Sequence, residues 1–508
     1  MTATTGTRRW WALGALAIAL LTFGLDVTIL NVALPTLATD LRASTGQLQW
    51  FANAYTLVLA AGLLPAGMLG DRFGQKKLLL GALALFGVAS IACAYAGSAE
   101  LLIVARAVLG VGAAFMIPLS MSLLTMMFAG ADRARAIAVW AAAMAIGIPL
   151  GPVVGGWLLD NFWWGSVFLI NVPLVLLGLA LLAWLLPGTK GAPGQRIDVT
   201  GVLLSIAGLG TLTFGLVEAG ERGWGSAPAL LPMITGVVVL GAFVVWLRRA
   251  RQPIVDLALF RSPGFTWGSV LATLASFALM GAMFVLPQYF QAVFGTGALG
   301  TGLRLLPVVG GLLVGVQIAD RLRPRLGAKI VVTAGFVLMI GGLALGALTD
   351  VSDGYGFTAV WLSVLGVGLG FALPPAMDVA MGALSQGSSG VGSGLLQAMR
   401  QIGGTFGVAI LGTVLGSGYR AQVNVTGLPG PAADAVRDTP AAGVQVARAV
   451  RSPELLNSVR ESFVHGMSAT LWVSAAFGVL GVLLTIAFLP RQAQDVEESQ
   501  SEHEHVAG

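Results

Sequence analysis

Long apolar runs separated by short polar segments repeat along almost the whole chain. A membrane-crossing helix needs about 20 mostly apolar residues. The pattern predicts fourteen of them, at 11–34, 49–69, 78–97, 101–124, 135–159, 165–186, 199–218, 229–247, 265–287, 302–319, 328–348, 357–380, 393–416 and 467–489. The run at 302–319 is the shortest. One polar segment, 417–466, is long; its 441–465 part has the pattern of an amphipathic helix lying at the membrane surface.

Composition agrees with a chain that faces lipid. Of its 508 residues 56% are hydrophobic and 10% charged, with a mean hydropathy of +0.86; soluble domains carry about 25% charged residues. Glycine is abundant, at 70 residues, and small residues let membrane helices approach closely. The one cysteine, Cys93, lies in an apolar run, so no disulfide forms within the chain and packing is its expected role. The first apolar run is too long for a cleaved leader and is followed by many more.

The basic residues set the topology. With the N-terminus in the cytoplasm, the inner segments hold 18 of the 28 lysines and arginines, from Arg8 and Arg9 to Arg491, including Lys190, Arg196 and Arg251. The short outer loops hold Arg42, Arg222 and Arg304. Cytoplasmic loops are enriched in Lys and Arg, so both termini are expected in the cytoplasm. The net charge of +5 sits in these short loops and gives no reason to expect nucleic acid. The tail after Arg491 is acidic and expected to be disordered; His503 and His505 within it suit a solvated tail better than a metal site.

Ionisable groups inside spans are costly, about 2.5–3.5 kcal/mol at mid-bilayer on insertion scales, and are usually paired or functional. Asp26 lies in the first span, nine residues before Pro35. Arg106 lies in the fourth, about 9 Å beyond Glu100 at 1.5 Å per residue. The two therefore share a depth, and an ion pair between them is within reach. It would either order the bundle or bind the proton that drives transport.

Two loops carry a pattern beyond basic charge. Gly67, Gly70, Asp71, Arg72, Gly74 and Lys76 follow span two, and a degenerate copy at 319–329 follows span ten, which suggests an internal duplication. Duplicated helical halves that rock about a central site are common among transporters. In span five, Gly147, Pro149, Gly151, Pro152, Gly155 and Gly156 must kink the helix or give it a smooth face.

With these motifs the chain resembles the major facilitator superfamily, and within it the fourteen-span drug:proton antiporters. The Gly67–Lys77, Arg106–Gly112 and Gly147–Gly156 segments are similar to that superfamily's motifs A, B and C, and Leu25–Pro35, Trp163–Pro173 and Arg400–Gly404 match further family patterns. Leu109 departs from the glutamine usual in motif B. The resemblance implies an all-α integral membrane fold with two six-helix bundles, here 1–190 and 261–490, two inserted helices in 191–260, and a tail at 491–508. It implies that Asp26 and Arg106 take part in proton coupling, that the Asp71 loop latches one access state, and that motif C favours exchange over uptake.

A second membrane acid, Asp378, lies near the inner end of span twelve at about the depth of Arg400; it is a candidate for proton or cation recognition, or for an inner latch. Glu218, Glu221 and His465 are expected to face water. Asn31, Asn53, Tyr55, Gln288, Tyr289, Gln291 and Arg400 are candidates for a substrate cavity, with Met116, Met121, Met126 and Met280 as an adaptable lining.

The expected function is proton-driven export of hydrophobic or cationic drugs by alternating access. A nutrient symporter, an exporter dedicated to one metabolite or lipid, and a non-transporting receptor are the alternatives. The expected partners are small hydrophobic or cationic molecules, protons and membrane lipid, with the chain acting as a monomer. No Gly-x-x-x-x-Gly-Lys-Ser/Thr loop is present, so the proton gradient rather than ATP or a cofactor is the expected energy source, and an enzyme is not expected.

Overall fold

The computed structural model describes residues 6–128, 130–186, 188, 198–250, 253–255, 257–384 and 389–490. Within these, the side chains of Asp71, Arg133, Pro149 and Glu221 lie outside the described part, as do Lys190, Arg196, Arg251 and the acidic tail with His503 and His505. Among the described residues the chain is helical, with no strand.

The first bundle is built from α1 (Gly6–Asp40), α2 (Thr45–Phe73), α3 (Gln75–Ala94), α4 (Ala99–Met127), α5 (Gly130–Asn161), and α6 (Ser166–Leu169) with α7 (Asn171–Leu185). A hairpin follows, α8 (Val199–Arg222) and α9 (Ala227–Arg249). The second bundle comprises α10 (Pro263–Ala292), α11 (Ala298–Arg304), α12 (Leu306–Ala347), α13 (Tyr355–Gly382), α14 (Ser389–Gln422) and α17 (Pro453–Phe488), with the short α15 (Gly430–Asp438) and α16 (Pro440–Ala449) before α17. Among the described residues eleven stretches are long and apolar enough to cross a membrane, and one of them, Ala298–Ala347, holds two spans. With α2 and α5 added, the helices correspond to all fourteen runs read from the sequence.

Local chemistry sets the helix ends. Ser44 starts α2 with a reciprocal capping box to Gln47, and the Ser98 hydroxyl accepts the Leu101 amide at the start of α4. The α2–α3 turn passes through Gly74 at φ 95°, and the corresponding turn inside α12 passes through Gly327 at φ 78°. Both are left-handed conformations that favour glycine. The matched glycines give the internal duplication a structural counterpart that the degenerate motif at 319–329 only hinted at.

The long polar segment departs from expectation. The anticipated helix over 441–465 is broken, because α16 stops at Ala449 and Arg451 turns the chain at φ 52° before α17 begins. Helix α17 then runs 36 residues, so its first turns precede the apolar span. Tyr419 and Thr45 donate to the carbonyls of Val436 and Asp438, which seats α15 over the ends of α14 and α2.

Burial separates central from peripheral helices. In the most apolar window of α1, 72% of residues are buried, against 11% in α9. Helix α1 therefore lies among other helices and α9 faces the hydrocarbon. Below, the basic face is the end where α1 starts, and the far face is the end where it finishes.

Candidate functional site

Asp26 and Arg106 meet in the middle of the first bundle. The Arg106 Nη1 atom lies 2.8 Å from Asp26 Oδ2, and both side chains are almost wholly buried. The other carboxylate oxygen, Oδ1, accepts from Asn171 Nδ2 at 3.1 Å, and the same amide reaches Ser90 Oγ at 3.3 Å. Arg106 also donates from Nε to the Phe51 carbonyl at 3.0 Å and stacks over the Tyr55 ring at 4.4 Å. Four helices thus converge on one carboxylate: α1 carries it, α4 neutralises it, α7 donates to it, and α2 holds the arginine.

This arrangement follows from costs. A buried charge without a partner is heavily penalised, and removing one member of a buried ion pair costs about 3–5 kcal/mol. The Asp26 carboxylate has an ion-pair partner on one oxygen and a hydrogen-bond donor on the other, so it is stable where it lies.

The glycines of α5 make room for α1 around this acid. A methyl group added at Gly147 would come within 2.8 Å of Gly24, and one at Gly151 would overlap Thr28 and lie 3.0 Å from the Leu25 carbonyl. At Gly155 it would overlap Ile29. The stripe at 147, 151 and 155 therefore packs on α1 on both sides of Asp26. Gly156 and Pro152 face elsewhere: Gly156 packs on Ala298 and Leu299, and the Pro152 carbonyl meets Gly302, both in the second bundle. The motif acts as a smooth surface on two sides, and α5 runs continuously from Gly130 to Asn161.

The loop after α2 is joined to its own bundle. Lys76 donates to the carbonyls of Ala183 and Leu186 at 2.8 and 2.7 Å. Gly70 packs against Leu119, Arg72 lies over the Phe73 ring and is exposed, and Gly67 has open space where a side chain would be.

Asp378 is not part of the buried centre. It sits at the basic face, more than half exposed, in an ion pair with Arg323 of the degenerate loop. It does not pair with Arg400, which donates instead to Ser276 Oγ at 3.3 Å and Gln397 Oε1 at 2.8 Å. Equal depth along two helices did not bring those two together.

The cavity candidates divide into groups. Tyr55 belongs to the Arg106 cluster. Tyr289 is fully buried among Phe290, Phe294 and Phe463, which is core packing. Asn31 and Gln288 bond to carbonyls of their own helices. Gln291 donates to the Val32 carbonyl at 3.0 Å and so links the two bundles. Asn53 is fully buried on α2, and neither amide atom has a hydrogen-bond partner among the described residues. Met116 is buried, Met121 and Met280 half-buried and Met126 exposed. His465 is exposed as expected, whereas Glu218 is mostly covered and pairs with Arg222 at 3.0 Å.

Asn171 and Ser90 did not emerge as site residues from the sequence. The available signal for Asn171 was its place in the Trp163–Pro173 segment, as an amide two residues before Pro173 in a largely apolar run.

The family model described as Major Facilitator Superfamily matches residues 16–408. A tetracenomycin C resistance and export protein of Streptomyces glaucescens is 31% identical over 97% of this chain and 94% of its own length. The multidrug efflux pump LfrA of Mycolicibacterium smegmatis is 35% identical over 95% of this chain and 97% of its own. Among solved structures, a bacterial homologue of the human lysosomal transporter Spinster, in an inward-facing and unoccupied conformation, superposes with a TM-score of 0.69 at 17% identity, covering 97% of this chain and 100% of that one. The matched helices, the buried Asp26–Arg106 centre and these relatives agree: the chain belongs to the Major Facilitator Superfamily, and its relatives there include drug and antibiotic exporters.

Proposed function

We propose that this protein is a proton-driven antiporter that exports hydrophobic or cationic drugs and antibiotics across the cytoplasmic membrane by alternating access. The observation that carries this is the buried Asp26–Arg106–Asn171 cluster, in a chain whose relatives include resistance and export proteins. Antiport needs an acid that holds a proton in one access state and releases it in the other, because a ligand shifts an equilibrium only through differential affinity. Asp26 takes its partners from α4 and α7, so a shift of those helices against α1 changes its surroundings. Arg106 keeps the Phe51 carbonyl and the Tyr55 ring to turn to when Asp26 is protonated. The proton gradient is the energy source, and no cofactor and no catalysis are involved.

In this proposal the basic face is cytoplasmic, with both termini there. The far-face links between the bundles (Gln291 to Val32, and Asp160 to the amides of Ala298 and Leu299 at 3.0 and 3.1 Å), with Thr56 to Thr405 at 2.8 Å nearer mid-bundle, support a state closed to the outside and loading from the cytoplasm. The chain works as a monomer in lipid, with small molecules and protons as its partners and no nucleic acid.

A second possibility, an exporter dedicated to one product, draws support from the single antibiotic in the name of the 31% identical relative. Efflux of a fluorescent lipophilic cation from cells expressing the protein, with and without a protonophore and beside Asp26→Asn, tests the proposal. Efflux that stops in both cases is the expected result. Efflux that survives the protonophore overturns proton coupling, and no efflux of any lipophilic cation turns the choice to the dedicated exporter.

A further inference from the structure

Helices α8 and α9 form one stiff unit. A methyl group at Gly208, Gly215 or Gly236 would come within 2.8 Å or less of the facing helix, and such close approach is how membrane helices lock together without a hydrophobic drive between them. The unit covers the lipid side of the seam where α2 of the first bundle meets α14 of the second.

Its attachments on the two sides of that seam differ in kind. Toward α14 apolar packing of Leu216 and Val217 on Ala409 is joined by close polar bonds: Thr413 Oγ1 donates to the Leu216 carbonyl at 2.9 Å, Arg420 donates to the Gly220 carbonyl, and a methyl at Gly220 would meet Thr413 at 2.9 Å. At the basic face, buried Asp198 accepts from Trp246 Nε1 at 2.8 Å and from the Ile254 amide at 3.2 Å. Ile254 lies between α9 and α10, ahead of the short 3-10 helix Leu257–Arg261 that precedes α10 of the second bundle. Toward α2 the contacts are apolar: the Trp50 and Phe214 rings are 6.5 Å apart and tilted, and Gly210 faces Leu57. An open cleft of about 540 Å³ lined by Trp50, Phe214, Thr211 and Leu231 lies on this α2 side. Directional hydrogen bonds in hydrocarbon resist separation, because a group that loses its partner is left unsatisfied; ring and methyl contacts permit sliding.

We propose that the inserted hairpin is mechanically part of the second bundle: it travels with α14 and slides over α2, so that the α2–α14 seam keeps its cover toward the lipid as the bundles rock. The proposal rests on the alternating-access motion above, but not on what cargo is carried.

The test is a set of spin-label distances in the purified full chain in nanodiscs, which needs no transport assay. Label pairs are Arg222 with Gln422 (hairpin to α14), Arg222 with Arg42 (hairpin to the head of α2), and Asn161 with Leu303 (across the far face). Gly302→Trp is the wedge, since any side chain there meets the Pro152 carbonyl; Gly156→Trp is a second, against the Ala298 carbonyl. Variants are used only if they elute as the wild type does. With either wedge the Asn161–Leu303 and Arg222–Arg42 distances should lengthen by more than the width of their distributions, while the Arg222–Gln422 peak stays. A moved Arg222–Gln422 peak overturns the proposal, whether or not Arg222–Arg42 also moves. If neither wedge lengthens Asn161–Leu303, the far face is not a moving interface and the proposal falls. Absence of drug efflux by the wild type, with these distances as expected, would count against the function and leave the hairpin assignment standing.

Discussion

Arg106 closes a 2.8 Å ion pair with Asp26 across α4 and α1, and the two residues are 80 positions apart in sequence. The pair has almost no exposure, so its members are held by the protein alone. Replacing Asp26 with Asn keeps the shape and removes the charge. Arg106 is then a buried cation without a counter-charge, left with the Phe51 carbonyl, the Tyr55 and Phe168 rings and a neutral amide, at a cost of up to about 3–5 kcal/mol. We expect Asp26→Asn to fold with a lowered Tm and to lose efflux driven by a pH gradient. Thermal unfolding and proteoliposome transport read the two effects separately, and full transport by the variant would remove Asp26 from the mechanism.

Asn171 offers a finer probe, because it touches the acid without carrying charge. Asn171→Ala removes the donor to Asp26 Oδ1, and leaving a buried acceptor unsatisfied costs about 1–3 kcal/mol. Asn171→Asp puts a second carboxylate against Asp26 in place of a donor. The expected order of Tm is wild type above Asn171→Ala above Asn171→Asp. An Asp variant as stable as the wild type would mean that the amide is not oriented toward Asp26 in the membrane.

The glycines of the two motifs separate stability from motion. Gly151→Leu cannot be accommodated against Thr28 and the Leu25 carbonyl, so it should lower expression and Tm along with transport. Gly67→Leu meets open space and should leave the stability within about 0.5 kcal/mol of the wild type, as ordinary surface changes do. If Gly67 packs on the second bundle in the other access state, the Leu variant slows transport at unchanged stability. Unchanged transport as well would take Gly67 out of the latch.

Much of this architecture was legible in the sequence. Apolar runs of bilayer length define the spans, and the cost of ionisable groups in hydrocarbon points to Asp26 and Arg106 as partners. Counting residues from a helix end gives depth, and depth was correct for that pair. It gives no azimuth, which is why Asp378 and Arg400, at similar depth, prove to face different partners, and why Tyr289 lies in an aromatic core. Asn171 was hidden for a related reason: a single amide in an apolar run has no meaning until the helix carrying it is placed beside α1. The break at Arg451 did have a signal, in Ser452-Pro453-Glu454: a capping serine and a first-turn proline start a new helix there rather than continue the old one.

Asp378 and Arg323 give the last test, because their geometry distinguishes two roles that the sequence left open. A proton-carrying acid acts through its own titration, so moving the carboxylate to the other helix should not restore function. A latch acts through mutual attraction, so exchanging the partners should. The pair is partly exposed at the basic face, where the arginine is about a third accessible and the aspartate more than half, and ion pairs in such settings contribute about 0–1 kcal/mol. Arg323→Asp and Asp378→Arg singly place like charges together and should slow transport with little change in Tm. The double exchange should bring the rate back towards that of the wild type if the contact is a latch. Singly and doubly exchanged proteins with the same low rate would instead show that the carboxylate is needed on α13 itself, and would return Asp378 to the candidates for proton or cation recognition.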